Sequence, residues 1–236
     1  MEERYPFVRG KVFRVFNGID PTGFFPRVAS GDAPLIVSVG RYVEKKGFDV
    51  LIEACAKLRD RGLPFRCEIA GGGPLHESLT AQLAGRRLQD QVHLIGPRSQ
   101  TEVRHLLASA SLFVLASQAD SEGGSDNLPT VLAEAMFAGV PCVSTTMAGI
   151  PEMITSGRDG LLVPPKDAGQ LAAVIQQLLE DRELSQRLAE AGQESARAKF
   201  SIEKTVGELR RLLQEKAIPR PTLGESIGSW WRPRPS

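Results

Sequence analysis

Short apolar segments alternate with longer amphipathic ones along most of this chain, and that alternation restricts its possible folds more than any other feature. Seven segments are predicted strands, and several are apolar at nearly every position, as strands buried on both faces are: Val12–Phe16, Leu35–Val39, Phe65–Ala70, Val92–Ile95, Leu112–Ala116, Cys142–Thr145 and Gly160–Val163. Helical spacing of apolar residues predicts helices over 48–61, 75–87, 100–109, 130–138, 167–180, 183–198 and 201–216. The order predicts an α/β fold, a single doubly wound parallel sheet with helices on both faces.

The two ends of the chain differ from its middle. We expect residues 34–216 to form one domain, within a length of 236 residues that allows one large domain or two small ones. Residues 1–33 are predicted to be a linker that holds one short strand and a stretch rich in glycine and proline. The range 217–236 contains four prolines and is predicted to be a flexible tail. Its Trp230 and Trp231 fit a docking site for a partner or a membrane surface, or an extension without a role.

Composition argues against several classes of function. Lys and Arg number 29 and Asp and Glu 28, a net charge of +1, so nucleic acid is not an expected partner. The longest apolar run, Leu112–Ala116, is far shorter than the ~20 residues of a membrane span. The first ten residues lack the apolar core of a signal peptide. We therefore expect a cytoplasmic protein, with peripheral contact at the inner face of the cell membrane left open.

Metal and disulfide chemistry are not expected either. The cysteines lie far apart in apolar segments, which is typical of buried thiols in a reducing compartment. The histidines have no ligand spacing, and a structural role is expected for each. The residues concerned are Cys55, Cys67, Cys142, His76, His93 and His105.

Parallel sheets bind ligands at the carboxyl ends of their strands, and four of the predicted strand ends carry glycine, charge or both. Gly40 and Arg41 follow the first of them, with Lys46 close behind. Two cations there suit a diphosphate, and the alternative is a solvated basic turn at the surface. Gly71 to Pro74 follow the next strand, either as amide donors for an anion or as a tight turn.

The segment from Asp126 to Glu134 is the most specific of these strand ends. Pro129 suits the first turn of a helix, whose amino end would offer free amides and a positive dipole to the crevice. Asp126 lies in the loop before that helix, and Glu134 within about its first two turns. These carboxylates are placed to accept hydrogen bonds from a sugar and a ribose, or to act as a simple cap and a surface acid.

These residues, in this order, resemble the C-terminal half of the retaining GT-B glycosyltransferases of family 4. The resemblance covers about residues 12–215, and within the family the sequence is most similar to exopolysaccharide enzymes of the colanic-acid type. The motifs that carry it are Asn17-Gly18-Ile19-Asp20, Gly40-Arg41 with Lys46-Gly47, Gly71-x-Gly73-Pro74, Gly96, Asp126 to Glu134, Ala138-Gly139-x-Pro141, Gly149 to Glu152 and Gly157-x-x-Gly160.

The resemblance implies a Rossmann-like domain that binds a nucleotide-sugar donor, such as a UDP- or GDP-sugar, for hexosyl transfer with retained configuration and without a metal ion or other cofactor. Among the implied catalytic residues, Arg41 and Lys46 would hold the diphosphate, Glu134 the ribose, and Asp126 the transferred sugar. The family usually has Glu where this chain has Asp126. The other implied donor-binding residues are Gly40, Gly71, Gly73, Pro97, Arg98, Asn127, Leu128 and Pro129, with Pro97 and Arg98 beside the base.

The motif from Asn17 to Asp20 normally follows a whole acceptor-binding domain in that family, and here it stands within the first twenty residues. We therefore expect this chain to be a fragment, a product of a split or mis-started gene, or a donor module that pairs with another chain. Alone it should have little or no transferase activity. Two alternatives stay open: a non-catalytic nucleotide-sugar-binding module and a GT-B-like sugar-nucleotide epimerase fragment.

Overall fold

The structure is a computed structural model that describes residues 12–25 and 33–216. Six strands alternate with α-helices, and after the last strand three of the eight helices follow one another directly. A short 3-10 turn at Glu44–Lys46 precedes the first helix. The strands are β1 (Leu35–Val39), β2 (Arg66–Ala70), β3 (Val92–Gly96), β4 (Leu112–Val114), β5 (Cys142–Thr145) and β6 (Leu161–Val163). The helices are α1 (Phe48–Asp60), α2 (His76–Arg86), α3 (Gln100–Ser109), α4 (Thr130–Phe137), α5 (Ile150–Met153), α6 (Ala168–Glu180), α7 (Arg182–Phe200) and α8 (Ile202–Lys216).

All strand pairs are parallel, and the strands lie in the order β3-β2-β1-β4-β5-β6. The chain moves outward from β1 in one direction and then returns to β4 on the other side. Connections leave β1 and β4 in opposite directions, so a crevice opens between them at the carboxyl ends of the strands. The predicted doubly wound parallel sheet is confirmed.

Side chains alternate between two cores, one on each face of the sheet. In β1, Ile36 joins the core formed with α1, α2 and α6, whereas Leu35 and Val37 join the core formed with α3, α4 and α7. The polar residues of these buried strands satisfy each other's backbone: the Ser38 hydroxyl donates to the Val114 carbonyl in β4. Covering both faces with helices explains why the strands are apolar at nearly every position.

Most element predictions agree with the structure. The seven predicted helices are found with ends shifted by at most two residues, and Asp167 caps α6 by accepting from the Gln170 amide at 2.8 Å. All three cysteines are buried, as expected. The sequence missed α5 and the 3-10 turn, which are too short to show periodicity.

The predicted strand at Val12–Phe16 is wrong, since residues 12–18 form no strand. This segment packs on the domain through a side chain, with the Phe16 ring edge-on to Phe200 at 4.9 Å between centroids. Backbone pairing occurs further along, where the Ile19 amide donates to Phe200 at 2.7 Å and the Ile202 amide to Ile19 at 2.9 Å. Together these bonds form a parallel bridge between Ile19 and Ser201.

The remaining parts of the predicted linker, 1–11 and 26–32, lie outside the described residues, as does the whole tail with Trp230 and Trp231. Within the described ranges, no helix combines the length and apolar character needed to cross a membrane.

Candidate functional site

The loops after β1, β2 and β3 are joined by backbone hydrogen bonds into one layer at the carboxyl edge of the sheet. The Gly40 amide donates to Ala70 at 3.0 Å, and the Gly71 amide donates to Gly96 at 2.9 Å. Between the loops lies a cleft of about 510 Å³, lined by Val39, Gly40, Arg41, Ala70, Gly71, Gly72, Gly73, Pro97, Arg98 and Val103. Six residues predicted for the site therefore line one cleft, although they come from three separate loops.

Glycine at position 71 is required by the close approach of two loops. Its φ is +148°, and a Cβ there would lie 1.8 Å from the Gly40 carbonyl oxygen. The Gly71 amide is bonded to Gly96 and is therefore not free to face an anion. The amides of Gly72 and Gly73 donate no hydrogen bond to the described residues, which leaves them as the candidate anion donors of this turn.

Tyr42 fixes this layer from below, and the sequence analysis did not identify it. Its side chain is fully buried, and its hydroxyl donates to the Ile69 carbonyl of β2 at 2.8 Å. Its backbone amide donates to Gly72 at 2.9 Å. Burial raises the pKa of the Tyr42 hydroxyl, so the phenol stays neutral and keeps donating. An isolated tyrosine in a loop carries no sequence signal for such a role.

The cleft is electropositive. Arg41 and Arg98 are both exposed, and neither forms an ion pair with any carboxylate in the described part of the chain. Arg98 donates to its neighbouring Pro97 carbonyl at 3.1 Å, which leaves most of its donors unused. Two guanidinium groups with no ion-pair partner among the described residues, beside the free amides of a glycine turn, form a site suited to an anion with several oxygens.

Lys46 and Asp126 form an ion pair across the crevice between β1 and β4, with 14% and 20% of their side chains exposed. The stem of Lys46 lies over Gly40, where a Cβ would meet its Cδ and Cε at 3.2 Å. The sequence predicted both residues for the site but not their pairing. Lys46 thus joins the cleft to the loop after β4.

A buried glutamine holds the loop after β4 against the 3-10 turn that carries Lys46. The Gln118 side-chain amide donates to the Glu44 carbonyl at 2.9 Å and to Asp49 at 3.1 Å. Its backbone amide donates to the Lys45 carbonyl at 3.1 Å. These bonds fix the position of Lys46, and sequence reasoning missed Gln118 because its partners are some 70 residues away.

Asn127, Leu128 and Pro129 lead into α4 and pack against the loop after β5. A Cβ on Gly149 would lie 2.4 Å from the Asn127 carbonyl oxygen and 3.1 Å from Leu128 Cδ2. Pro129 occupies the N-cap, and no side chain caps the helix there. The first-turn amides of α4 are therefore left without a side-chain partner at the crevice.

Glu134 is the fifth residue of α4 and is half-buried. Burial raises the pKa of this carboxyl, and the Arg104 guanidinium on α3 partly opposes that rise. Its oxygens accept no hydrogen bond from any described residue, so they stay available to a ligand. No cluster of His, Cys, Asp or Glu that could hold a metal ion occurs within 12–25 and 33–216.

The same fold occurs in solved glycosyltransferase structures. The structure of Anabaena HepE in complex with UDP and glucose superposes with a TM-score of 0.72 at 20% identity, over 85% of this chain and 56% of that one. The C-terminal domain of the Francisella tularensis group 1 glycosyl transferase LpcC gives a TM-score of 0.67 at 21% identity, over 78% of this chain and 100% of that one.

The chain belongs to the family described as glycosyl transferases group 1, which matches residues 22–195. It is 41% identical over 157 residues to the putative colanic acid biosynthesis glycosyltransferase WcaL of Escherichia coli, covering 66% of this chain and 39% of that protein. It is 39% identical over 163 residues to the amylovoran biosynthesis glycosyltransferase AmsK of Erwinia amylovora, covering 68% and 40%. This chain thus spans about two fifths of the length of these relatives.

Proposed function

We propose that this chain is the donor-binding half of a retaining, family 4 glycosyltransferase that transfers a hexose from a nucleotide-sugar to a glycan or lipid-linked acceptor. The observation that carries the proposal is the cleft itself, in which Arg41 and Arg98 have no ion-pair partner among the described residues and lie beside the amides of Gly72 and Gly73. The relatives named for colanic acid and amylovoran biosynthesis support an exopolysaccharide as the product.

The proposed role of Arg41 and Lys46 is to bind the donor diphosphate and stabilise the charge that develops as it leaves. Pre-positioned cations of this kind contribute most in the transition state, where the leaving group carries most charge. Lys46 is paired with Asp126 in the structure, so its bond to a diphosphate requires exchange of that partner. In this scheme Pro97 and Arg98 lie beside the base.

The proposed role of Glu134 is to accept hydrogen bonds from the two ribose hydroxyls. An ionised carboxylate has two oxygens for that purpose, and charge-assisted bonds are the stronger kind. Asp126, in the loop before α4, would face the transferred sugar. The acceptor would be bound by a further domain, supplied by another chain or by a longer form of this protein, and we expect weak activity or none without it.

Calorimetric titration of the full 236-residue chain with UDP, GDP and their common sugar conjugates tests donor binding. We expect one nucleotide to bind, and Arg41→Ala and Glu134→Ala each to weaken it by about tenfold or more, since hydrogen bonds to charged groups contribute about 1.5–3 kcal/mol. Arg66→Ala is the matched control, because Arg66 is exposed at the opposite, amino-terminal edge of the sheet. A folded chain that binds none of these nucleotides would refute the proposal.

A second assay separates transfer from binding alone. The chain is co-expressed with the acceptor-binding half of its colanic-acid relative. Release of the nucleoside diphosphate is then followed with and without a lipid-linked acceptor. Acceptor-dependent release supports a transferase, whereas binding without release indicates a module that only holds the nucleotide-sugar. Epimerisation of the donor without any acceptor would contradict the proposal.

A further inference from the structure

Arg104 on α3 lies in an unusual aromatic setting outside the cleft. Its guanidinium carbon lies 4.9 Å from the centre of the Phe24 ring. That ring stacks in turn on Phe137 of α4, with centroids 5.8 Å apart and ring planes 19° from parallel. We call this three-layer arrangement of Arg104, Phe24 and Phe137 the Phe24 stack. It connects α3 to α4 through a residue of the preceding linker.

The linker is shaped to fit the guanidinium. A Cβ on Gly23 would lie 2.4 Å from Arg104 Nη1, so the backbone passes directly against the cation. Asp20 begins this turn and accepts hydrogen bonds from the Thr22 amide at 2.9 Å and the Thr22 hydroxyl at 2.7 Å. Those bonds lower the pKa of Asp20, and the positive charge of Arg104 lowers it further. Arg104 is thereby confined by rings and backbone.

Glu134 lies one helical turn before Phe137, so both side chains project from the same side of α4. Arg104 attracts the Glu134 carboxylate but forms no ion pair with it within 4 Å. The cation therefore acts on Glu134 without occupying the carboxylate oxygens. A half-buried carboxylate next to a direct lysine or arginine partner would have its oxygens already in use.

We propose that Arg104 is a positioning residue for Glu134: held by the Phe24 stack beside α4, it supplies a counter-charge to this carboxylate while leaving both oxygens open to the ribose hydroxyls of a nucleotide. The Phe24 stack connects the guanidinium to α4 one helical turn from Glu134. This inference rests on the proposed function, because it concerns the same donor site.

The inference predicts a specific dependence on pH. Arg104 is the charged group that acts on Glu134, and Asp20 and His105 are the other titratable groups of this cluster, the latter stacked on Phe25 at 3.9 Å. Without Arg104, burial would raise the pKa of the Glu134 carboxyl without opposition, and the carboxyl would take up a proton at higher pH. Nucleotide affinity should then begin to fall at a higher pH than in the wild type.

The experiment titrates the full chain with UDP-glucose and with GDP-mannose from about pH 4.5 to pH 8, because their diphosphates, unlike the terminal phosphates of UDP and GDP, carry no group that titrates in this range. For the nucleotide that binds, Arg104→Gln should move the acid limb of affinity upward by about 0.5–1 pH unit. Arg104→Lys keeps the positive charge, so its acid limb should lie close to that of the wild type. Glu134→Gln should abolish the limb. Arg211→Gln removes the same charge from the exposed surface of α8 and should leave the limb unchanged.

An unchanged acid limb in Arg104→Gln would overturn the inference, even if that variant were less stable, because lost packing alone does not shift a titration. A wild-type chain that binds neither UDP nor GDP, nor a sugar conjugate of either, would refute the proposed function instead. The inference then has a separate readout in thermal unfolding at neutral pH. Arg104→Gln should destabilise the wild type more than it destabilises Glu134→Gln, and equal effects in the two backgrounds would overturn it.

Discussion

Replacement of Asp126 by Asn should free Lys46 for a diphosphate. In the structure the Lys46 ammonium donates to Asp126, and the two side chains are 14% and 20% exposed. A nucleoside diphosphate must compete with that carboxylate for the same cation. Asp126→Asn removes the competing charge but keeps the size of the side chain, so the variant should bind the free nucleoside diphosphate more tightly than the wild type.

The magnitude follows from the partial burial of the pair. Unit charges about 4 Å apart attract by about 1 kcal/mol in water and about 4 kcal/mol near a protein surface. Exposed pairs contribute about 0–1 kcal/mol after solvent screening, and fully buried pairs are offset by desolvation. For exposures of 14% and 20% we take about 1 kcal/mol, equivalent to roughly a fivefold gain in affinity.

The assay compares the wild type, Asp126→Asn and Glu122→Gln by calorimetry with UDP or GDP and with the matching nucleotide-sugar. Glu122 lies in the same loop and is exposed, so it controls for the loss of one negative charge. Asp126→Asn should gain affinity for the diphosphate but less, or none, for the nucleotide-sugar, because the proposed contact to the sugar is weakened. It should also unfold about 2–4 °C lower. An equal gain in Glu122→Gln, or no loss of stability in Asp126→Asn, would refute the reasoning.

Three further predictions concern stability. Tyr42→Phe removes a buried hydroxyl bonded to a β2 carbonyl and should cost about 1 kcal/mol in urea unfolding; no change would mean that the hydroxyl does not join the loops. Gly47→Ala should cost more than about 2 kcal/mol, since φ is +65° and the new Cβ would lie 1.8 Å from a main-chain oxygen. Gly62→Ala, with φ +74° in open space, should cost only about 1 kcal/mol, and equal costs would contradict the packing argument. Because burial raises the pKa of Glu134, the folded state binds that proton more tightly, so Glu134→Gln should raise Tm at neutral pH, with a gain that disappears as pH falls below about 4.5.

The fold was predictable because its signals are local. Each buried strand is apolar along its length, and each helix shows its own periodicity and caps, as Asp167 does for α6. The rule that ligands bind at strand ends singled out Gly40 and Gly71, the family resemblance added Arg98, and in the structure all three line the same cleft. The strand prediction at Val12–Phe16 was wrong because an alternation of apolar and polar residues does not by itself provide a neighbouring strand with which the segment could pair.

The contacts that fix the site were not predictable, because their partners are distant in sequence. Lys46 and Asp126 are 80 residues apart, and no sequence pattern around either residue indicates that the two form a pair. Nothing in the sequence distinguishes Tyr42 from an ordinary loop residue, and its role is evident only from the packing of the three loops around it. Arg104 resembles an exposed helix cation until Phe24 is placed on it. In each case tertiary geometry, and not the residue type, assigns the role.

The bridge at Ile19 has a mechanical consequence for the candidate site. Ile19 is bonded on both sides to the junction of α7 and α8, and five residues later the same backbone carries Phe24. This short segment is the shared anchor of α8 and of Arg104. A displacement of α8 cannot occur without breaking these two bonds or pulling on the segment that carries Phe24. Movement of a helix far along the chain is therefore linked to Arg104 through two hydrogen bonds and a short stretch of backbone, with no direct contact between α8 and Arg104 needed.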